Sequence, residues 1–208
     1  MNNMMKQNYT VHPWHGISAG VNAPDSVTAF IEIVPTDTVK YEIDKASGFL
    51  KVDRPQKYSN VLPCLYGFIP QTYCGQKIGD YCGNKTGRTG IYGDGDPLDI
   101  CVFTEKNITH GNIIVPATPI GGFRMIDGGQ ADDKIIAVMY HDEIYSGWDD
   151  IDHMPLSLVE RLKHYFLTYK AMPGAPNKAE ITHLYNKQEA REIIKASMED
   201  YFSLIKSE

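Results

Sequence analysis

No apolar run in this 208-residue chain is long enough to cross a bilayer. The longest, around Ile135 to Tyr140, falls far short of the roughly 18 residues a membrane span needs. Basic charge is also short: 20 Lys and Arg stand against 26 Asp and Glu, a formal net charge of -6. That balance argues against a nucleic-acid partner held through its phosphates. The seven histidines are scattered, with no HExxH spacing. The four cysteines, Cys64, Cys74, Cys82 and Cys101, form no CxxC zinc pair. Met1 to Tyr9 is polar, without an apolar h-region or a small-residue cleavage site, so no signal peptide is expected. Reduced thiols in a cytoplasmic protein follow, with Cys101 a small core residue.

What is present reads as strands first and helices last. TAFIEIVP alternates, with Ala29, Ile31 and Ile33 on one side and Phe30, Glu32 and Val34 on the other. VKYEID and FLKVDR flank KASG and read as a hairpin whose turn ends at Gly48. LDICVF, NIIVPATPIGG, KIIAVMY and KAEITHLYN continue the strand series. Short strands with frequent Gly and Pro predict a mixed α+β, mainly β domain built on a small barrel. Pro155 opens one helix, whose buried stripe is Val159, Leu162, Phe166 and Tyr169. Asn186 and Glu189 resemble a capping box opening a second, with Ala190, Ile194, Ser197, Tyr201 and Ile205 on its inner face. Residues 1–208 read as one domain, interrupted by an irregular stretch at about 71–92, taken as an excursion at the rim of the site.

GDGDPLDICVF, residues 93–103, packs Asp94, Asp96 and Asp99 ahead of a strand. MIDGGQADDKIIAV does the same with Asp127, Asp132 and Asp133. A barrel could bring both clusters to one rim. At about 4 Å and an effective dielectric near 20, each like-charged pair costs roughly 4 kcal/mol. A few such pairs would consume most of a typical domain stability of roughly 5–15 kcal/mol. Protonation or a cation must relieve that strain. Oxygen ligands without His or Cys favour Mg²⁺, Mn²⁺ or Ca²⁺ over zinc. An EF-hand is excluded, since Asp99 stands where its loop requires glycine. Mg²⁺ is usually shared with substrate phosphates, and cations to hold them are available in Lys40, Arg54, Lys134 and Lys170, with Tyr169 beside them. Glu32, a lone carboxylate in an apolar strand, fits either an exposed strand face or a functional site.

DGDPLD followed by ICV closely resembles the signature of family I (soluble) inorganic pyrophosphatases. IEIVP, KYEIDKASGFLKVDR, PCLYGFIP, MIDGGQADDKIIAV and HYFLTYK reinforce the likeness, in the family's order from about residue 27 to 170. The resemblance implies an OB-like five-stranded closed barrel with flanking helices, several Mg²⁺ ions, and hydrolysis of pyrophosphate to two orthophosphates. It implies that Asp94, Asp99 and Asp132 ligate activating metals, that Asp127 joins Asp132 at a metal arriving with substrate, and that Glu32 faces a further one. Asp96 would accept the proton of the attacking water. Lys40, Arg54, Tyr66, Lys134, Tyr169 and Lys170 would hold phosphate oxygens, with Glu42 in support. Mn²⁺ or Zn²⁺ are possible substitutes for Mg²⁺, and relatives of this kind commonly form homo-oligomers. Leu62, Gly128 and Ala131 depart from residues common in relatives, and Asp133 adds a charge beside Asp132, so these positions bear on metal affinity. Two other classes fit parts of the pattern: a metal-dependent phosphohydrolase of nucleotides or polyphosphate, and a non-catalytic OB-type binding module. Neither has a visible aromatic platform for a base.

Overall fold

The computed structural model describes residues 11–170, 174 and 178–207. The architecture is mixed α+β and mainly β. One sheet of eight strands contains β1 (Val27–Ile33), β4 (Leu65–Phe68), β5 (Tyr92–Gly93), β6 (Asp99–Phe103), β7 (Ile113–Asp127), β8 (Gln130–Ala131), β9 (Lys134–Met139) and β10 (Ala179–Asn186). Its order is β1-β4-β6-β9-β7-β8-β5, with β10 added to β7 and a further pairing of β1 with β7. A separate hairpin, β2 (Val39–Ile43) and β3 (Leu50–Pro55), is the one expected around KASG. Gly48 closes its turn at a φ of 75°, a left-handed conformation that glycine adopts without strain.

Strand β7 organises the sheet. Its first residues pair with β1, its middle with β9 and its last seven with β10. A register shift between Pro119 and Gly121 bends it so that one strand can serve several partners. β1 is buried on both sides, so its alternation marks two packed faces rather than one wet and one dry. Gly67 lets β4 lie tight against β1, since a Cβ there would sit 1.8 Å from the Phe30 carbonyl oxygen. The four cysteines are free thiols, all buried, Cys101 among the core residues as expected.

Helix α1 (Gln76–Thr86) lies inside the stretch read from sequence as irregular. It packs on α3 and along β5, and its Ile78 and Cys82 are buried. Residues of this helix do not line the cleft described below. Helix α2 (Leu156–Thr168) starts after Pro155 and buries Val159, Leu162 and Phe166, with Tyr169 half-buried at its end. Helix α3 (Lys187–Ser207) buries Ala190, Ile194 and Ser197, but its inner face runs out before Ile205, which is 43% exposed. Its capping box is half formed. Asn186 Oδ1 accepts the Glu189 N–H at 3.0 Å, while the Glu189 carboxylate turns to Arg124 instead of back to the cap.

Among the described residues, Arg124 is the largest fully buried side chain. Its Nε reaches both oxygens of Asp133 at 3.1 and 3.0 Å, and an Nη donates to Glu189 at 3.1 Å. The guanidinium also lies over the rings of Tyr81 and Tyr185, 5.1 and 5.3 Å from their centres. It thereby ties α1, α3, β7 and β10 together beneath the sheet. Removing one partner of such a pair leaves a buried charge uncompensated. Arg124→Ala should therefore lose about 3–5 kcal/mol of unfolding free energy in urea. A loss under about 1 kcal/mol would show that the pair contributes little beyond its desolvation cost.

Candidate active site

The loop between β5 and β6 bends at Gly95, whose φ of 79° suits glycine. That bend turns Asp94 Oδ1 back to accept the Asp96 N–H at 2.9 Å. Asp99 then opens β6, paired antiparallel with β4 and in parallel register with Lys134 of β9. Tyr66 on β4 donates its hydroxyl to Asp99 Oδ2 at 2.6 Å. The Lys134 ammonium bridges Asp99 and Asp132. Asp127 ends β7, and the Gly128–Gly129 turn, both residues at positive φ, returns the chain through β8 to Asp132. Lys170, just beyond α2, pairs with Asp127.

The floor is supplied by β1 and the β2–β3 hairpin. Glu32 is 6% exposed. Of its two sequence readings, the exposed strand face is excluded. Its Oε1 accepts the Ile43 N–H at 2.6 Å, which stitches β1 to the hairpin. Lys40 donates to Glu42 and Asp53, each at 3.0 Å. These side chains enclose a cleft of about 650 Å³, lined by every residue given a metal, substrate or proton-transfer role from the sequence except Arg54. Arg54 stands behind the lining. Its guanidinium lies 5.6 Å from the centre of the Tyr169 ring, and one Nη is buried without a hydrogen-bond partner among the described residues.

Two features differ from the sequence reading. Asp133, though next to Asp132 in sequence and still repelled by it, does not join it in lining the cleft. It turns away from the cleft to Arg124. Lys45, not singled out from the sequence, lines the cleft, pairs with Asp96 and donates to the Gly95 carbonyl at 3.1 Å. Lys51, 3.3 Å from Glu42, is a second unanticipated cation. The available signal was the position of both lysines in the hairpin that carries Lys40. Leu62 is buried among apolar neighbours, and Gly128 sits in the two-glycine turn beside the cleft.

The electrostatics are those of a site short of positive charge. Burial, then repulsion from Asp132 and Asp99, pushes the Asp94 carboxyl up to about 8. Burial, then the charge of Asp99, pushes Glu32 up to about 8 against its bond from Ile43. Burial raises Asp132 as well, opposed by Lys134. Burial works against the Lys134 ammonium, yet Asp132 and Asp99 hold it well above its ordinary value. Among the described residues, no three acidic, histidine or cysteine side chains converge closely enough to hold an ion as they stand, because the ammonium groups are interleaved with them. The donors themselves suit a hard divalent cation: all oxygen, several ionisable, two of them retaining protons far above the usual carboxylate range.

Similarity to known proteins is extensive. A family model for inorganic pyrophosphatase matches residues 29–202. The inorganic pyrophosphatase of Chlamydia muridarum is 54% identical over 199 residues, covering 93% of this chain and 95% of that one. The soluble inorganic pyrophosphatase 2 of Chlamydomonas reinhardtii is 34% identical, covering 91% and 88%. Among solved structures, the inorganic pyrophosphatase of Thermus thermophilus superposes with a TM-score of 0.76 at 27% identity, covering 92% of this chain and 99% of its own. A family match over most of the length, joined to a carboxylate cleft carrying the family's motifs, leads to one conclusion: the chain belongs to the inorganic pyrophosphatase family.

Proposed function

We propose that this chain hydrolyses inorganic pyrophosphate to two orthophosphates by direct attack of water, with Mg²⁺ as its working cation. The observation that carries this reading is the convergence of Asp94, Asp96, Asp99, Asp127 and Asp132 with Lys40, Lys134 and Lys170 around one cleft. Bound Mg²⁺ would supply Lewis acidity, lowering the pKa of water and neutralising phosphate charge. Asp94, Asp99 and Asp132 would hold the activating ions, Asp127 would share one with Asp132, and Glu32 would face another. Mn²⁺ or Zn²⁺ are candidate substitutes.

The protein's own part is positioning and charge. Asp96 takes the proton of the attacking water. Lys40, Lys134 and Lys170, with Arg54 behind Tyr169, offset negative charge on the oxygens as the bridging P–O bond breaks. Tyr66 and Tyr169 supply hydroxyl donors, and Glu42 aims Lys40. Water adds to one phosphorus, the bridging oxygen leaves with the other, and no covalent enzyme intermediate is needed.

The ring of pairings β1–β4–β6–β9–β7 and back to β1 supports an OB-like five-stranded closed barrel as the scaffold. We read the chain as one domain and, from its family, as a homo-oligomer. Four buried free thiols agree with a cytoplasmic location, and among the described residues no helix is long and apolar enough to cross a membrane. The ionic lining of the cleft and the family membership disfavour a nucleotide phosphohydrolase or a binding module.

Orthophosphate release from pyrophosphate should require Mg²⁺ and be abolished reversibly by chelation; release in excess chelator would end the proposal. Asp96→Asn should lower kcat by roughly 10²–10⁴-fold while keeping the Mg²⁺-induced rise in melting temperature. Lys170→Ala should raise KM for pyrophosphate with little change in Mg²⁺ binding, and the opposite pattern would make it a structural residue.

The raised carboxyls give a pH signature. Glu32 and Asp94 are pushed from 4.5 and 3.8 to about 8 in the fold. Without metal, the folded chain keeps protons that the unfolded chain has released between those values. Stability must then fall as pH rises from about 4 to about 8. A cation that replaces those protons removes the penalty. The stabilisation by Mg²⁺ should therefore be larger at about pH 8.5 than at about pH 6. Equal melting shifts at both would remove Glu32 and Asp94 from the ligand set.

A further inference from the structure

The chain from Thr72 to Ile78 lies directly behind the loop of Asp94, Asp96 and Asp99, and it is pinned to both that loop and α3. On the loop side there are three hydrogen bonds, two between backbones and one to a side-chain hydroxyl. The Leu98 N–H donates to Thr72 Oγ1 at 2.9 Å, the Gly95 N–H to the Cys74 carbonyl at 3.0 Å, and the Cys74 N–H to the Asp96 carbonyl at 2.8 Å. The two segments touch so closely that a Cβ on Gly93 would come within 2.0 Å of the Cys74 carbonyl oxygen.

On the other side stands α3. The Tyr73 N–H donates to the Ser197 carbonyl at 2.9 Å. Asp200, only 6% exposed, accepts three N–H groups at the start of α1: Gly75 at 3.0 Å, Lys77 at 3.1 Å and Ile78 at 3.1 Å. Helix α1 has no side-chain cap of its own, so a carboxylate more than 120 residues away in sequence does that work. One negative charge thereby fixes the segment to which the aspartate loop is bonded at three points.

We propose that Asp200, acting through Thr72–Ile78, is a positioning residue that sets the aim of Asp94, Asp96 and Asp99. This rests on the pyrophosphatase reading of the cleft, and it gives the segment leading into α1 a role: it is a back-plate for the loop. Loosening the plate perturbs the loop carboxylates, while Lys40, Lys134 and Lys170, carried on other elements, keep their places.

The test compares Asp200→Asn with Asp142→Asn. Asp142 is an equally buried carboxylate that accepts the N–H groups of Glu105, Ile144 and Tyr145, and it does not line the cleft. Both variants should melt earlier than wild type. Asp200→Asn alone should lower kcat roughly 10- to 100-fold and weaken Mg²⁺ binding in calorimetry about 10-fold, with KM for pyrophosphate near wild type. Thr72→Val, which removes the acceptor of the Leu98 N–H, should move kcat and Mg²⁺ affinity the same way, and Thr72→Ser should restore both. That pair carries the test if Asp200→Asn does not fold. Wild-type kcat and Mg²⁺ affinity in folded Asp200→Asn, or in Thr72→Val, would overturn the proposal. If wild type with Mg²⁺ releases no phosphate, the pyrophosphatase reading falls by itself, and calorimetry on the same variants still decides whether Asp200 aims the loop.

Discussion

Repulsion among buried and half-buried carboxylates is the constraint on which this architecture turns. Asp94, Asp99, Asp132 and Glu32 sit where water cannot screen them well, and two of them keep their protons up to about pH 8 as a result. Lys134, 2% exposed, is the internal counter-charge that lets Asp99 and Asp132 face each other. Its position follows from register: β9 lies parallel to β6 with Lys134 opposite Asp99, so a one-residue slip would send the ammonium to the wrong face. The cleft is thus specified by strand pairing before any ligand arrives.

Two charge systems share one stretch of chain. Asp132 looks into the cleft and Asp133 looks beneath the sheet, where Arg124 neutralises it while also pairing with Glu189. Asp133 is still pushed up to about 6 by burial, but the guanidinium opposes that shift. The cleft carboxylates lack an equivalent for every charge. That imbalance distinguishes a site that recruits cations from the Arg124 network, whose two carboxylates are met by Arg124 and Lys85.

The chemistry of the cleft was largely legible in the sequence because its groups are grouped locally. DGDPLD and MIDGGQADDK each place several carboxylates within a few residues, and the strands after them are strongly apolar. Lys45 was legible only as a lysine in the hairpin that carries Lys40, since its partner Asp96 lies about fifty residues on and nothing in KASG marks that the lysine turns to the cleft. Helix α1 was missed for a physical reason. Gly79 and Gly83 lower its intrinsic helicity, yet a Cβ at Gly79 would come within 2.7 Å of the Tyr92 backbone. They are glycines for close packing, and the helix survives because α3 caps and covers it. The i, i+4 pair Ile78 and Cys82 was the one signal that could have revealed it. Asp133 misled because adjacency in sequence does not fix direction: in the short link between β8 and β9 it turns to Arg124 while Asp132 lines the cleft.

Distance from the cleft is consequently a poor guide to what the cleft depends on. Arg54 lies behind the lining yet presents an unpartnered donor beside Tyr169. Lys51 lines the cleft but is half exposed and pairs with Glu42, which solvent screens. The aim of an exposed carboxylate such as Asp96 is limited by its backbone more than by its own contacts, and that backbone is held by hydrogen bonds from Cys74 and, at Leu98, to Thr72. Burial makes those bonds hard to exchange with water, so geometric control passes inward from the ionic rim to a dry layer that carries none of the chemistry.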